Sequence, residues 1–389
     1  MSIDQSRLVF WGRPLATILC VVCFLSTAFE TNAISVKPGT PIDIVFVVDI
    51  SGSTGGILSS VRSKFWEIQS EISRMEPSPS YRLGIVCMGR PSFKKENNYV
   101  QVISDLTDDI DAAASPFFQI KDVTAPGNYF MGHALDVAVN DLSWSEDVND
   151  LKMIFLVGNG KPSAGPGYIK PMKDAKEKGI IIHSLYFMTY SNQNEQNEWN
   201  HIASETGGGF FIIGLKEPSI VLEKPYDGSM LREASRLLNK TYVYYGESGL
   251  TRYEMQADLD EESELIGDDS VEARTFFKAS SLYVGNNYAW DLIDLGASGK
   301  GTPTKENRKY MDEAYATLSA MQFEQTLGEI GYERKEYLSI IKMLSTQREA
   351  FLGDMKEKMK DYRFGNTFFG VVNRSISEAA EKHGYKIEY

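Results

Sequence analysis

The sequence predicts an α/β fold, a doubly wound and mostly parallel sheet, followed by a mainly α-helical C-terminal region. Three observations predict it. Ile44, Val45, Phe46, Val47 and Val48 form a β-branched, nearly uninterrupted apolar run, the pattern of a strand buried on both faces of a parallel sheet. From there to about residue 215, such runs alternate with segments whose apolar residues recur every three or four positions, which implies βαβ units with right-handed crossovers. From about residue 216 only long, polar segments of helical spacing remain.

In order, residues 34–41 lead into the first strand, and Ile57, Val61, Phe65, Ile68 and Ile72 mark an amphipathic helix that Pro77 and Pro79 close. Residues 82–88 and 99–103 are the second and third strands, joined by the polar, turn-rich residues 89–98 as in a hairpin. Beyond Asp105 a short helix runs through Phe118, and the loop 124–129 opens a helix carrying Met131, Leu135, Ala138 and Leu142 on one face. Residues 153–157 (strand), 169–178 (helix), 180–187 (strand), 195–205 (helix) and 210–213 (strand) complete the alternation.

In the helical region, residues 230–238 and 271–283 read as helices. Residues 310–362 place Leu327, Ile330, Leu338, Ile341, Leu344, Phe351 and Met355 at roughly helical spacings, as a bundle or helical hairpin would. The aromatics Tyr242, Tyr244, Tyr245, Tyr288 and Trp290 are expected to pack between these helices and the sheet, a binding surface being the alternative.

At 389 residues two domains are the default expectation. A net charge of -13 repels phosphate backbones and anionic membranes, and excludes nucleic acid as the expected partner. Part of that charge is local: Asp258, Asp260, Glu261, Glu262, Glu264, Asp268, Asp269 and Glu272 read as a solvated face or loop.

Arg7 and Arg13 precede an apolar run at residues 15–25, the length of a signal segment, with small residues for cleavage after Ala33. Residues 1–33 are therefore expected to be a signal peptide. The alternative is an uncleaved membrane anchor, which Phe10 and Trp11 would lengthen and Arg13 would interrupt. Either way the rest is expected outside the cytoplasm, periplasmic or secreted, or membrane-anchored if the segment stays. Cleavage would remove Cys20 and Cys23 and leave Cys87, in an apolar run, as a core residue without a disulfide partner. Asn239 and Asn373 head glycosylation sequons, which matter only in a eukaryotic secretory pathway.

Where the first apolar run stops, Asp49, Ser51 and Ser53 stand at alternate positions, with Gly52 to let the backbone turn. In open α/β sheets ligands bind beyond the carboxyl ends of the strands. Three hard oxygen donors there suit Mg²⁺ or Mn²⁺; the alternative is that they only cap the next helix.

Asp49-Ile-Ser-Gly-Ser resembles the metal-ion-dependent adhesion site of von Willebrand factor A domains. Leu83-Gly-Ile-Val, Lys152-Met-Ile-Phe-Leu-Val and Ile202-Ala-Ser-Glu-Thr-Gly-Gly-Gly-Phe-Phe extend the resemblance over about residues 41–215, the last being similar to the Leu-Ala-x-x-Thr-Gly-Gly signature before the final strand. In the region 216–389, Leu238-Asn-Lys-Thr-Tyr-Val-Tyr-Tyr-Gly, Lys278-Ala-Ser-Ser-Leu-Tyr and Ala289-Trp-Asp-Leu-Ile-Asp resemble the segment C-terminal to the A domain in a set of bacterial extracytoplasmic proteins.

The resemblance implies a metal site in three strokes. Asp49, Ser51 and Ser53 are the first. In the second loop Pro126-Gly127-Asn128-Tyr129 stands where Gly-Gly-Thr would be, so Asn128 or Tyr129 takes the Thr position while Thr124 lies too early. After the fourth strand Asn159, in Val157-Gly158-Asn159-Gly160, replaces the usual Asp. The implied ligand set is Asp49, Ser51, Ser53, Asn128 and Asn159, one negative charge short of the family pattern and hence weaker toward a dication. A ligand carboxylate would restore that charge, as in metal-bridged recognition by A domains. The alternative is that Asn159 holds the loop by hydrogen bonds with no ion.

Catalytic patterns are missing from the chain. His133, His183, His201 and His383 are scattered, and neither a Gly-x-Ser-x-Gly elbow nor a Walker sequence occurs. The expectation is a non-enzymatic extracytoplasmic binding or adhesion-type protein that recognises an acidic group on a protein ligand through a bound cation. The alternative is a metal-free structural or assembly subunit whose C-terminal helices bind the partner.

Overall fold

Strand β1 (Ile42–Asp49) is buried along its whole length and divides its side chains between two cores. Ile42, Ile44, Phe46 and Val48 enter one, Val45 and Val47 the other. That is what a strand covered on both faces requires. The structure, a computed structural model, describes residues 40–52, 56–121, 130–188, 192–214, 226–301, 310–354 and 365–387. The expected signal segment, with Cys20 and Cys23, lies outside them. Among the described residues no helix is long and apolar enough to cross a membrane.

After β1 come α1 (Ile57–Ile72), β2 (Met75–Glu76), β3 (Tyr81–Met88), β4 (Val100–Thr107), α2 (Ile110–Phe118), α3 (Met131–Asn140), β5 (Leu151–Gly158), α4 (Ile169–Glu177), β6 (Ile180–Met188), α5 (Gln193–Glu205) and β7 (Phe210–Gly214). The sheet order is β4-β3-β1-β5-β6-β7. Only β4 runs antiparallel, as the hairpin expected over residues 89–98 requires. The doubly wound, mostly parallel α/β architecture is thus the observed one. Helices α3, α4 and α5 cover the face that holds Val45 and Val47, and α1 and α2 lie on the other. Cys87 sits in the core on β3, where burial pushes its thiol up.

Beyond β7 follow α6 (Gly228–Asn239), α7 (Gly249–Ile266), α8 (Asp268–Lys278), α9 (Ser281–Asn287), α10 (Leu292–Ser298), α11 (Glu313–Ala316), α12 (Ala320–Asp354), α13 (Phe368–Lys382) and β8 (Lys386–Ile387). The region is largely helical as expected, but it also holds the short strand β8, and the helix expected over residues 271–283 is broken. The Ser280 hydroxyl accepts the Tyr283 N–H at 3.4 Å and starts α9 afresh, a local cap that apolar spacing does not reveal.

The chain then returns to the sheet. Phe368, Phe369, Val371, Val372 and Ile376 of α13 join the core on the α1 face, and Phe368 lies 6.3 Å from Phe187 of β6. Strand β8 pairs antiparallel with β2, and the Tyr385 hydroxyl donates to the Thr40 carbonyl at the head of β1. The helices α6 to α12 are therefore an excursion between β7 and a helix that closes the sheet. All the described residues belong to one compact unit.

Buried ion pairs fasten the excursion. Arg274 of α8 pairs with Asp111 of α2 and, at 3.0 Å, with Asp260 of α7; Lys278 reaches Asp260 at 2.6 Å. Asp260 and Glu272 thereby depart from the solvated face expected of the acidic segment. Helical periodicity turns Asp260 inward to two cations, and Glu272 accepts the Tyr226 hydroxyl at 2.8 Å. Asp258, Glu261 and Glu264 stay exposed as expected. Among the aromatics, Tyr242 and Trp290 are buried 5.5 Å apart, with Arg334 4.5 Å over Tyr242. Both sequon asparagines are engaged: Asn239 donates to Asp260 at 2.7 Å and Asn373 is buried.

Candidate metal centre

The site forms where β1 ends between β3 and β5. Asp49 is fully buried, and its Oδ1 accepts the Ser51 N–H at 2.9 Å. The Ser51 hydroxyl and the Asn159 N–H also bond to the carboxylate. Asn159 reaches it because β1 and β5 run parallel with Val48 opposite Val157, which sets Gly158 beside Asp49 and the N–H of the next residue within reach of the carboxylate. Asp49, Ser51 and Asn159, predicted as site residues, are thus gathered at one strand end. Ser53 and Asn128, with Thr124 and Tyr129, lie outside the described residues.

Two glycines make room for the carboxylate. A Cβ on Gly158 would stand 2.7 Å from the Asp49 Cβ, and one on Gly89 would stand 2.8 Å from the Ser51 Cβ and 3.0 Å from the Asp49 Oδ1. Gly89 also holds a left-handed φ of 96° and donates its N–H to the Tyr99 carbonyl at 3.0 Å. Sequence reasoning marks neither glycine, although one directly follows an apolar run and the other ends one.

Other unpredicted residues brace the loops. The Trp199 indole, buried on α5, donates to the Gly160 carbonyl at 2.8 Å and holds the turn after β5. Arg62 of α1 donates to the Phe117 carbonyl at 2.7 Å, and Arg90 donates to the Lys121 carbonyl. The end of α2 is thereby tied to the helix and the hairpin that flank Asp49.

Burial pushes the Asp49 carboxyl up to about 6, against the hydrogen bonds that favour its ionised form. A carboxylate in a desolvated pocket is costly unless a cation compensates it. The donors here are a carboxylate, a hydroxyl and amide groups, hard oxygens that fit Mg²⁺ or Mn²⁺ and give no soft or imidazole ligand. Among the described residues no three His, Cys, Asp or Glu side chains converge; the carboxylate at the end of β1 is that of Asp49.

The histidines lie apart from one another. His133 stands in the first turn of α3, His183 in the sheet between Phe155 and Phe211, His201 against Tyr168, and the ring of His383 against the Ala379 carbonyl.

Residues 43–220 match the von Willebrand factor type A domain family. Among solved structures, proximal thread matrix protein 1 from the mussel byssus is similar at 15% identity with a TM-score of 0.34, over 45% of this chain and 42% of that chain. The same protein with a zinc-occupied MIDAS motif is similar at 16% identity and a TM-score of 0.34, over 45% and 42%. An aerotolerance-related membrane protein from Bacteroides fragilis NCTC 9343 is similar at 14% identity and a TM-score of 0.32, over 44% of this chain and 91% of that one. This chain thus spans less than half of the mussel protein's length. Among curated proteins none matches the sequence.

Proposed function

We propose that this chain, which carries a von Willebrand factor type A domain over residues 43–220, is a non-enzymatic, extracytoplasmic binding or adhesion-type protein. In this reading it recognises an acidic group on a protein ligand through a divalent cation at the end of β1. The observation that carries the reading is Asp49, a carboxylate fully buried at the ligand-binding end of a parallel sheet and walled by glycines. Asp49, Ser51 and Ser53 would hold the Mg²⁺ or Mn²⁺, with Asn128 and Asn159 beside them. When bound, the cation supplies a positive centre that a ligand carboxylate can reach.

The protein's own residues do the rest. The Ser51 and Asn159 N–H groups orient the Asp49 carboxylate, and Gly89 and Gly158 keep side chains off it. Because Asn159 stands in place of an acid, one carboxylate meets a dication, and the remaining positive charge favours an acidic ligand. The segment before residue 34 either releases the protein on cleavage or anchors it to the membrane.

Isothermal titration of the full chain with Mg²⁺ and Mn²⁺ tests the reading. Binding heat in the wild type and none in Asp49→Ala supports it; equal heats from both overturn it. One observation favours a second reading, a metal-free structural or assembly subunit whose helices bind the partner: Asp49 already takes hydrogen bonds from Ser51 and Asn159. Partner capture would then survive both EDTA and Asp49→Ala.

A further inference from the structure

The turn that carries Asn159 is held from two sides. On one, the Asn159 N–H bonds to the Asp49 carboxylate. On the other, the Gly160 carbonyl accepts the indole N–H of Trp199 at 2.8 Å. Alternation along β1 turns Asp49 to the face of the sheet that α5 covers, and Trp199 is fully buried in the core on that face. A missing side chain makes room for the ring. Gly158 stands opposite Tyr186 of β6, and a Cβ on Gly158 would lie 2.7 Å from the Asp49 Cβ and 3.5 Å from the Trp199 Cη2. The edge of the indole therefore closes the flank of the site beside Asp49.

Trp199 is itself fixed in place. Tyr186 packs edge-on to it at 5.6 Å, and the Tyr186 hydroxyl donates to Glu195, in the first turn of α5, at 2.9 Å. Asn192 caps that helix by accepting the Glu195 N–H, and its side-chain amide donates to the Glu195 carboxylate at 2.8 Å. The indole is thus wedged between a strand and a capped helix start, and the turn it holds has little freedom to move away from Asp49. Such rigidity discriminates between cations. Mg²⁺ demands a near-ideal octahedron at about 2.0–2.1 Å, whereas Ca²⁺ takes more oxygens at about 2.3–2.6 Å and needs loops that yield. We propose that Trp199 is a positioning residue that sets the cation selectivity of this centre. By holding the Gly160 carbonyl it keeps the 158–160 turn, and Asn159 with it, close to Asp49, and so favours Mg²⁺ over Ca²⁺. The proposal rests on the reading that a divalent cation binds at Asp49.

Two measurements on the full chain test it, and one of them needs no cation. In metal-free protein, Trp199→Phe, which keeps a ring but removes the donor, is expected to raise amide hydrogen exchange at Asn159 about tenfold. In calorimetric titrations the same variant is expected to bind Mg²⁺ about tenfold more weakly than the wild type and Ca²⁺ no more weakly, so that the preference falls by that factor. Benzothienylalanine at position 199, which keeps the shape of the indole and replaces its N–H with sulfur, is expected to behave alike and decides the matter if Trp199→Phe fails to fold. Trp66→Phe, a change of equal size in the core on the opposite face, is expected to lower stability and leave the ratio of the two affinities as it is. An unchanged ratio in the position-199 variants, with or without faster exchange at Asn159, overturns the proposal and leaves the cation reading standing, as does an equal change of ratio in Trp66→Phe. A wild type that binds neither ion overturns both.

Discussion

The guanidinium of Arg274 lies 4.2 Å from the ring centroid of Trp66. Trp66 is on α1, the helix that follows the candidate metal site, and Arg274 is on α8, in the excursion, so a cation–π contact joins the two parts of the fold. The same guanidinium donates to Asp111 at 2.8 Å and to Asp260 at 3.0 Å, and is itself buried.

Removing that cation takes from Asp111 its guanidinium partner and leaves Asp260 to Lys278 alone among cations. Arg274→Ala is expected to destabilise the protein by about 3–5 kcal/mol, the usual result of breaking a buried ion pair from one side. Arg274→Lys should fall between, because an ammonium keeps the charge but not the forked geometry. Urea unfolding followed by tryptophan fluorescence measures both.

Divalent cation should stabilise the wild type. At a hundredfold excess over Kd, a ligand that binds only the folded state adds about 2.7 kcal/mol. The thermal midpoint is expected to rise with Mg²⁺ or Mn²⁺ in the wild type and to stay fixed in Asp49→Ala, read by calorimetry with and without EDTA.

Gly158→Ala puts a methyl group where the Asp49 Cβ already lies within 2.7 Å. Either the carboxylate or the end of β5 must shift, at a cost of about 1–3 kcal/mol. The cation-dependent rise in midpoint is expected to shrink with it, more than in Gly167→Ala, where an added Cβ meets nothing within 4 Å.

His183 should make the fold sensitive to acid. Its ring stacks on Phe155 at 5.3 Å, its Nδ1 accepts the Gly209 N–H at 3.2 Å, and burial, with Lys382 nearby, lowers it to about 4. In the unfolded chain it takes a proton near pH 6.5. Its contribution is therefore complete above pH 6.5 and is lost as pH falls through 4, by about 3 kcal/mol. His183→Gln, which keeps an acceptor but does not titrate, should lack this part of the slope in denaturant unfolding between pH 4 and 6.5.

The strands are the most legible elements, and for one reason. Ile44 to Val48 in β1 and Met153 to Val157 in β5 are covered on both faces, so each is an unbroken apolar run that no amphipathic helix imitates. Asp49 and Ser51 are legible because their spacing is local. Less is legible in the excursion. The acidic run from Asp258 to Glu272 reads as solvent-facing by composition, yet Asp260 turns inward, because Arg274 and Lys278 reach it from the next helix. The two-residue strands β2 and β8 carry no periodicity at all; they exist because distant parts of the chain meet there.

By itself, then, the sequence determined the alternation of the main strands and helices over about residues 41–215, the doubly wound sheet, and a carboxylate at the end of its first strand. Only the tertiary structure decided that α13 comes back to close the sheet, that Gly89 and Gly158 wall the carboxylate, and that burial pushes Asp49 up to about 6. The physical reason is that periodicity records which side of a segment is apolar, whereas the partner covering that side, and the solvation of any charge beneath it, are supplied by residues far away in the chain.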